Sequence, residues 1–177
     1  MGKYVKTLSK SEVWWVVILI LILLGTQDKP FTRLLKTVDK AIDDGFIKEK
    51  VVAQVGFTKY SSKNIKTFDL IPKEEYEQII SEADLIITHA GVGSILTGLK
   101  KNKKVIAAAR LKEYGEHTNN HQLEILNEFY KKGYILKLEN FEELPKVLNN
   151  VKTFKPKQYK SNNENFVKMI EDYINSL

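Results

Sequence analysis

The sequence has no cysteine among its 177 residues. Disulfides and thiolate chemistry are therefore excluded, and the composition fits a reducing compartment. Histidine is scarce as well: His89, His117 and His121 are the whole supply. That is too few for a convincing metal centre, and none is expected. Arginine-rich tracts and nucleic-acid-reading motifs are missing, although the net charge is +6. The lysines are spread along the chain as on a solvated basic surface, so no nucleic-acid partner is expected. There is no internal repeat and no Walker sequence. No G-x-G-x-x-G follows the first apolar run, and no compelling Tyr-x-x-x-Lys pair is present. A dinucleotide-dependent enzyme and a Rossmann-type epimerase lose their support on those grounds.

Most apolar of all is "VWWVVILILILL", residues 13–24, closed by Gly25. It falls short of the roughly 20 residues that a spanning helix needs. A basic stretch precedes it, as in a signal peptide, but no small-residue cleavage site follows. Its second half, residues 18–24, is branched and leucine-rich, as a central parallel strand should be. Residues 1–17 then form an N-terminal extension. Its Trp14-Trp15 pair suits a membrane interface, or packing on the domain or on a partner.

Beyond Gly25, helical stripes and apolar runs alternate. Phe31, Leu34, Leu35, Val38 and Ile42 predict a helix, with Asp28 as its cap, Pro30 in its first turn and Gly45 at its stop. Strands are expected over 51–56, 65–71, 84–88, 104–109 and 134–138. Helices are expected from Pro72, over 94–101, and over 118–132 with Leu123, Leu126 and Tyr130 facing inward. Closing helices are expected over 140–150 and 163–177. The strands are apolar runs rather than alternations. The fold class is therefore α/β: a parallel Rossmann-like sheet with helices on both faces, built by residues 18–177 as one domain. Ligands of such sheets sit outside the carboxyl ends of the strands.

Three of the loops at that edge carry chemistry. In "HAGVGS", Gly91 and Gly93 let the backbone approach a ligand closely, and the following helix offers free amides and a partial positive charge. Together they suit a phosphate. Ser94 is placed to cap that helix or to donate to a phosphate oxygen. The loop Gly25, Thr26, Gln27 has the same form, so a second helix start is expected to face the same edge. "EYGEHTNNHQ" is the densest polar stretch. Glu116 there could accept two hydrogen bonds from vicinal hydroxyls. His117 and His121, four apart, would share a helix face. Thr118 and Asn119 read equally well as helix caps.

"GTQDKPFTRLL", "ADLIITHAGVGS" and "GEHTNNHQLE", in this order, resemble the C-terminal, donor-binding half of glycosyltransferase family 28. Within it they resemble stand-alone capsule and exopolysaccharide glycosyltransferase subunits, which are similar to the catalytic subunit of the two-part UDP-GlcNAc transferase. The resemblance implies a single GT-B half-domain and an inverting hexosyltransferase that uses a UDP-sugar and no cofactor. It implies that Gly25, Thr26 and Gln27, with His89, Ala90, Gly91, Gly93 and Ser94, hold the diphosphate. Phe68 and Leu70 would lie by the uracil. Glu116, His117, Asn120, His121 and Gln122 would hold ribose and sugar hydroxyls. His89 and His117 are the candidate bases within the chain, the acceptor side being the other place for one. A lipid-linked saccharide acceptor, a membrane-anchored acceptor-binding subunit and a place at the cytoplasmic face of the cell membrane are also implied. A non-catalytic enhancer subunit is the alternative. Thr97 stands where many relatives carry a glutamate. Galactose, GlcNAc and glucuronic acid all stay open as the sugar, with galactose narrowly favoured by the capsule-type resemblance.

Overall fold

The computed structural model of the protein describes residues 19–160. The N-terminal extension and the closing helix expected over 163–177 lie outside the described residues. Six parallel strands form one sheet: β1 (Leu19–Leu23), β2 (Lys50–Gln54), β3 (Ile65–Phe68), β4 (Leu85–His89), β5 (Lys104–Ala108) and β6 (Leu136–Lys137). Their order is β3-β2-β1-β4-β5-β6. The first strand in sequence is thus central in space, with Ile20 opposite Val51 on one side and Leu85 on the other. Both of its faces are covered by helices, which is why it reads as an unbroken apolar run.

Successive residues of β1, and Leu24 just after it, enter two different cores. Ile20, Ile22 and Leu24 pack with α1 (Thr32–Asp43) and α5 (Leu144–Thr153). Leu21 and Leu23 pack with α2 (Lys73–Glu82), α3 (Val92–Lys100) and α4 (His121–Lys131). This is the period-two alternation of a strand serving two layers. Truncating any one of these side chains to alanine is expected to cost about 2–5 kcal/mol, the usual range for a packed core position. Helix α3 rides close to the sheet because Gly98 has no side chain. A Cβ there would lie 2.7 Å from Val105 Cγ2 and 3.1 Å from Ile86 Cδ1.

The stripe predicted for α1 is the buried one: Leu34, Leu35 and Val38 are fully covered, and Gly45 ends the helix in the left-handed region at φ +78°. Its start differs from expectation. Phe31, not Asp28, is the N-cap, Pro30 precedes it, and the cap side chain makes no hydrogen bond. The Phe31 amide is taken instead by Thr58 Oγ1 at 3.0 Å, from the loop after β2. In α4, Leu123 and Leu126 face the core as predicted, but Tyr130 does not. Gln122 and Leu126 are buried, Phe129 packs against the core, and Tyr130 is exposed. β3 ends at Phe68, which leaves Asp69, Leu70 and Ile71 as a loop at the edge where ligands bind.

Candidate functional site

The chain runs from β1 to β2 to β3 in one direction, then crosses back to β4 on the other side of β1. The crevice between the ends of β1 and β4 is the switch point where such sheets bind ligands. On the β1 side, Gly25 turns with φ +72°. Gln54, buried at the end of β2, holds this residue on both sides: the Gly25 N–H donates to Oε1 and Nε2 donates to the Gly25 carbonyl, each at 3.1 Å. Gly56 leans on the same residue so closely that a Cβ there would sit 2.5 Å from the Gly25 oxygen. No helix begins at this loop, contrary to expectation, because α1 starts only at Thr32. The loop still presents the Thr26 and Gln27 amides, which have no acceptor among the described residues.

On the β4 side, α3 begins two residues earlier than predicted, with Gly91 as its N-cap and no side-chain cap. Val92, Gly93 and Ser94 form its first turn. Their amides have no acceptor among the described residues, since the first bond back is from the Ile95 N–H to the Gly91 carbonyl at 3.1 Å. Ser94 sits in the third helical position, so it is not the cap. The turn carries no acidic side chain. It is therefore an open, positively polarised helix start. It faces a cleft of about 660 Å³ lined by Gly25, Thr26, Gln27, His89, Gly93 and Ser94. The cleft continues past Thr97 to Leu70, Ile71, Lys73 and Tyr76. A second cleft, of about 900 Å³, lies over the loops after β2 and β3 and meets the first at Thr26 and Leu70.

His89 is the last residue of β4 and is only 8% exposed. Its Nδ1 lies 3.3 Å from the Leu23 carbonyl, which also accepts from the Thr88 hydroxyl at 2.8 Å. A carbonyl can only accept, so Nδ1 carries the hydrogen and Nε2 keeps its lone pair. Burial pushes the imidazole pKa down to about 4, and the nearby Arg110 and His117 add to the effect. The ring is neutral near pH 7. It is wedged between two glycines. A Cβ on Gly25 would lie 2.6 Å from Cε1, and one on Gly91 would overlap Nε2 outright. Those glycines are required by the ring between them. Gly93 is different, for a Cβ there would meet nothing within 4 Å. Ala90 is fully buried and donates its amide to the Ala108 carbonyl at 3.0 Å, so its side chain does not reach the cleft.

The polar stretch after β5 is largely occupied with itself. Glu116, expected to receive hydroxyls, is 4% exposed. Its carboxylate takes both prongs of Arg33, at 2.9 and 2.7 Å, and the Leu111 amide at 3.1 Å. Arg33 in turn lies 3.9 Å from the Phe141 ring and 4.4 Å from that of Tyr114. Asn120 accepts from the Lys112 amide at 2.8 Å, and its amide group donates to Glu113 at 3.3 Å. Gln122 is turned inward, where its Oε1 accepts from the Arg110 amide at 3.0 Å. His121 is exposed and pairs with Glu124 at 2.9 Å. α4 begins at His121, so His117 lies outside the helix and the two do not share a helix face. Asn119 does act locally, accepting the His121 amide at 3.1 Å. His117 Nδ1 accepts the Asn119 amide at 3.2 Å, which leaves its hydrogen on Nε2 when the ring is neutral. None of residues 116–122 lines either cleft. Among the described residues no three His, Cys, Asp or Glu side chains are grouped to hold a metal ion.

Three residues of the site escape the motifs. Gln54 ends one apolar strand and Arg110 stands two residues beyond another, each a polar side chain at the very edge where ligands sit, and that was the available signal. Tyr76, half-buried on α2 with its phenol pKa raised by burial, reads in sequence as one more helix residue. Thr97 donates its hydroxyl to the Gly93 carbonyl at 2.8 Å.

Known proteins share this fold. UDP-N-acetylglucosamine transferase subunit ALG13 of Homo sapiens is 38% identical over 63 residues, which is 36% of this chain and 5% of that protein. The chain thus spans only a small part of that relative's length. The NMR solution structure of ALG13 superposes with a TM-score of 0.53 at 23% identity, over 85% of this chain and 93% of that one. The crystal structure of the glycotransferase of kitacinnamycin superposes with a TM-score of 0.60 at 15% identity, over 86% of this chain and 39% of that one. These likenesses are of fold, that of a GT-B half-domain. The model of the glycosyltransferase family 28 C-terminal domain matches residues 19–177, nearly the whole chain. The chain belongs to the glycosyltransferase family 28 C-terminal domain family.

Proposed function

We propose that this chain is the donor-binding subunit of a transferase that moves a hexose, galactose or GlcNAc, from a UDP-sugar to a lipid-linked acceptor in surface-polysaccharide synthesis. A membrane-anchored partner supplies the acceptor half. One observation carries the reading. Gly93 and Ser94, at the start of α3, and Thr26 and Gln27, after β1, all with unpaired amides, line one cleft at the β1–β4 switch point. That arrangement matches a pyrophosphate, whose oxygens only accept hydrogen bonds. The names of the relatives, subunits of a UDP-sugar-dependent transferase, support both the donor and the partner.

The chemistry is an inverting displacement. An acceptor hydroxyl attacks the anomeric carbon, and UDP leaves with its pyrophosphate gaining negative charge. Amides already oriented toward that charge stabilise it without reorganising. The base that takes the acceptor proton comes from the acceptor side. His89, expected as a candidate, is buried and holds a proton poorly, with a pKa of about 4. His117 presents a proton at Nε2 and so donates where a base must accept. His89 acts as the wedge that spaces the two glycine loops.

The test transfers label from a panel of UDP-galactose, UDP-GlcNAc and UDP-glucuronic acid to membranes, with and without a co-expressed anchor subunit. The isolated chain is expected to bind UDP and turn over poorly, and the pair to transfer one of the sugars. Absence of UDP binding by the purified chain would sink the donor assignment and favour a non-catalytic enhancer.

A further inference from the structure

Arg110 heads the fully buried side chains by size, at 1% exposure. It stands two residues beyond β5, and its guanidinium lies beneath the loop that joins β1 to α1. Nη2 donates to the Leu24 carbonyl at 2.8 Å and Nη1 to the Lys29 carbonyl at 2.6 Å, so one side chain holds both ends of that loop. A longer contact at 3.4 Å reaches the Glu116 carbonyl. These hydrogen-bond partners are dipoles, and the Phe31 ring centroid lies 5.0 Å from the guanidinium carbon. The carboxylate nearest to hand, that of Glu116, is already occupied by both prongs of Arg33. Two guanidiniums therefore share one carboxylate, and a positive charge is left over. Nε of Arg110 is buried with no partner among the described residues. A cation held this way is costly unless an anion compensates it. Residues whose task is only to fill space need no charge.

We infer that Arg110 is a positioning residue for the donor. It fixes the ends of the loop so that the Thr26 and Gln27 amides face the cleft, and it places an uncompensated positive charge behind the pyrophosphate. The inference rests on the proposed donor site. It assigns to a side chain that never lines the cleft part of the selectivity for the diphosphate over the nucleoside.

The experiment titrates the full chain with UDP and with uridine, for wild type, Arg110→Met and Arg110→Lys, and records thermal unfolding of each. Arg110→Met is expected to lose about tenfold in UDP affinity, the size of one charge-assisted hydrogen bond, with uridine affinity unchanged. Arg110→Lys keeps the charge but cannot span both carbonyls, and is expected to fall between. A residue that merely supports the fold would lower the melting temperature and leave the UDP-to-uridine ratio alone. An unchanged ratio in a folded variant therefore overturns the inference. Should Arg110→Met fail to fold, Arg110→Lys decides on the same terms. Equal affinities of the wild type for UDP and uridine would remove the donor site itself, and the inference with it, before any variant is compared.

Discussion

Replacing Gly93 by alanine separates a glycine kept for a ligand from a glycine kept for the fold. Gly93 is the second residue of α3, and its φ is not positive. The added methyl would meet nothing within 4 Å. By conformational entropy and helix propensity alone, the change should stabilise the protein by about 0.5–1 kcal/mol. For a chain of this size that raises Tm by about 1–4 °C. The same methyl would stand among the open amides of Val92, Gly93 and Ser94, on the wall of the 660 Å³ cleft. A phosphate oxygen kept from one of those amides loses a charge-assisted hydrogen bond of about 1.5–3 kcal/mol, or roughly tenfold to a hundredfold in affinity. Stability and binding should thus move in opposite directions. Urea or thermal unfolding reads the first, and calorimetric titration with UDP the second. A Gly93→Ala chain that is more stable and binds UDP as before would refute the placement of the pyrophosphate at this helix start.

Three further outcomes follow from the same geometry. Gly91→Ala is expected to cost about 1–3 kcal/mol through collision with the His89 ring, and much less in a His89→Ala background; equal costs in both would show that the wedge is not what the glycine serves. His89 should make stability pH-dependent. Its pKa is lowered from 6.5 to about 4, so between those values the unfolded chain takes up a proton that the folded chain refuses. Stability falls as pH drops through that window, by up to about 3 kcal/mol, and the loss levels off below it. Urea midpoints from pH 7.5 down to 4 should lose this component in His89→Asn, and an identical slope in the variant would contradict the assignment. Glu116→Gln should destabilise by about 2–4 kcal/mol because Arg33 loses its partner, yet leave the affinity ratio of UDP to dUDP unchanged. A collapse of that ratio would return Glu116 to the ribose.

The fold was legible where the physics is local. Leu34, Leu35 and Val38 announce α1 because only a helix brings that spacing onto one face, and residues 18–24 announce a central strand because no polar residue interrupts them. The glycine pair at 91 and 93 was legible as a turn, though the two have different reasons: one makes room for His89, and the other has open space beside it. What stayed hidden depends on distant partners. Glu116 reads as a ligand because acids in loops at this edge often are. It is buried because Arg33, 83 residues away, meets it from α1. Asp28 and Pro30 satisfy the local rules for a helix start, but Thr58 from the β2 loop takes the amide and moves the start to Phe31. Arg110 follows an apolar strand as any surface arginine might. Only the arrival of the Leu24 and Lys29 carbonyls above it shows that it is inside.

The central position of β1 shapes how the chain must be made. It is the first described segment to leave the ribosome, yet its neighbours come much later. β2 ends at Gln54 and β4 at His89. For the time needed to synthesise those residues, a ribbon of leucine and isoleucine with no charge and no proline has no lawful partner. Such ribbons pair with each other when they meet. A nascent chain halted before β4 is therefore the most adhesive form this protein takes. Fragments truncated ahead of residue 89 should precipitate, while those reaching past α5 should stay dispersed.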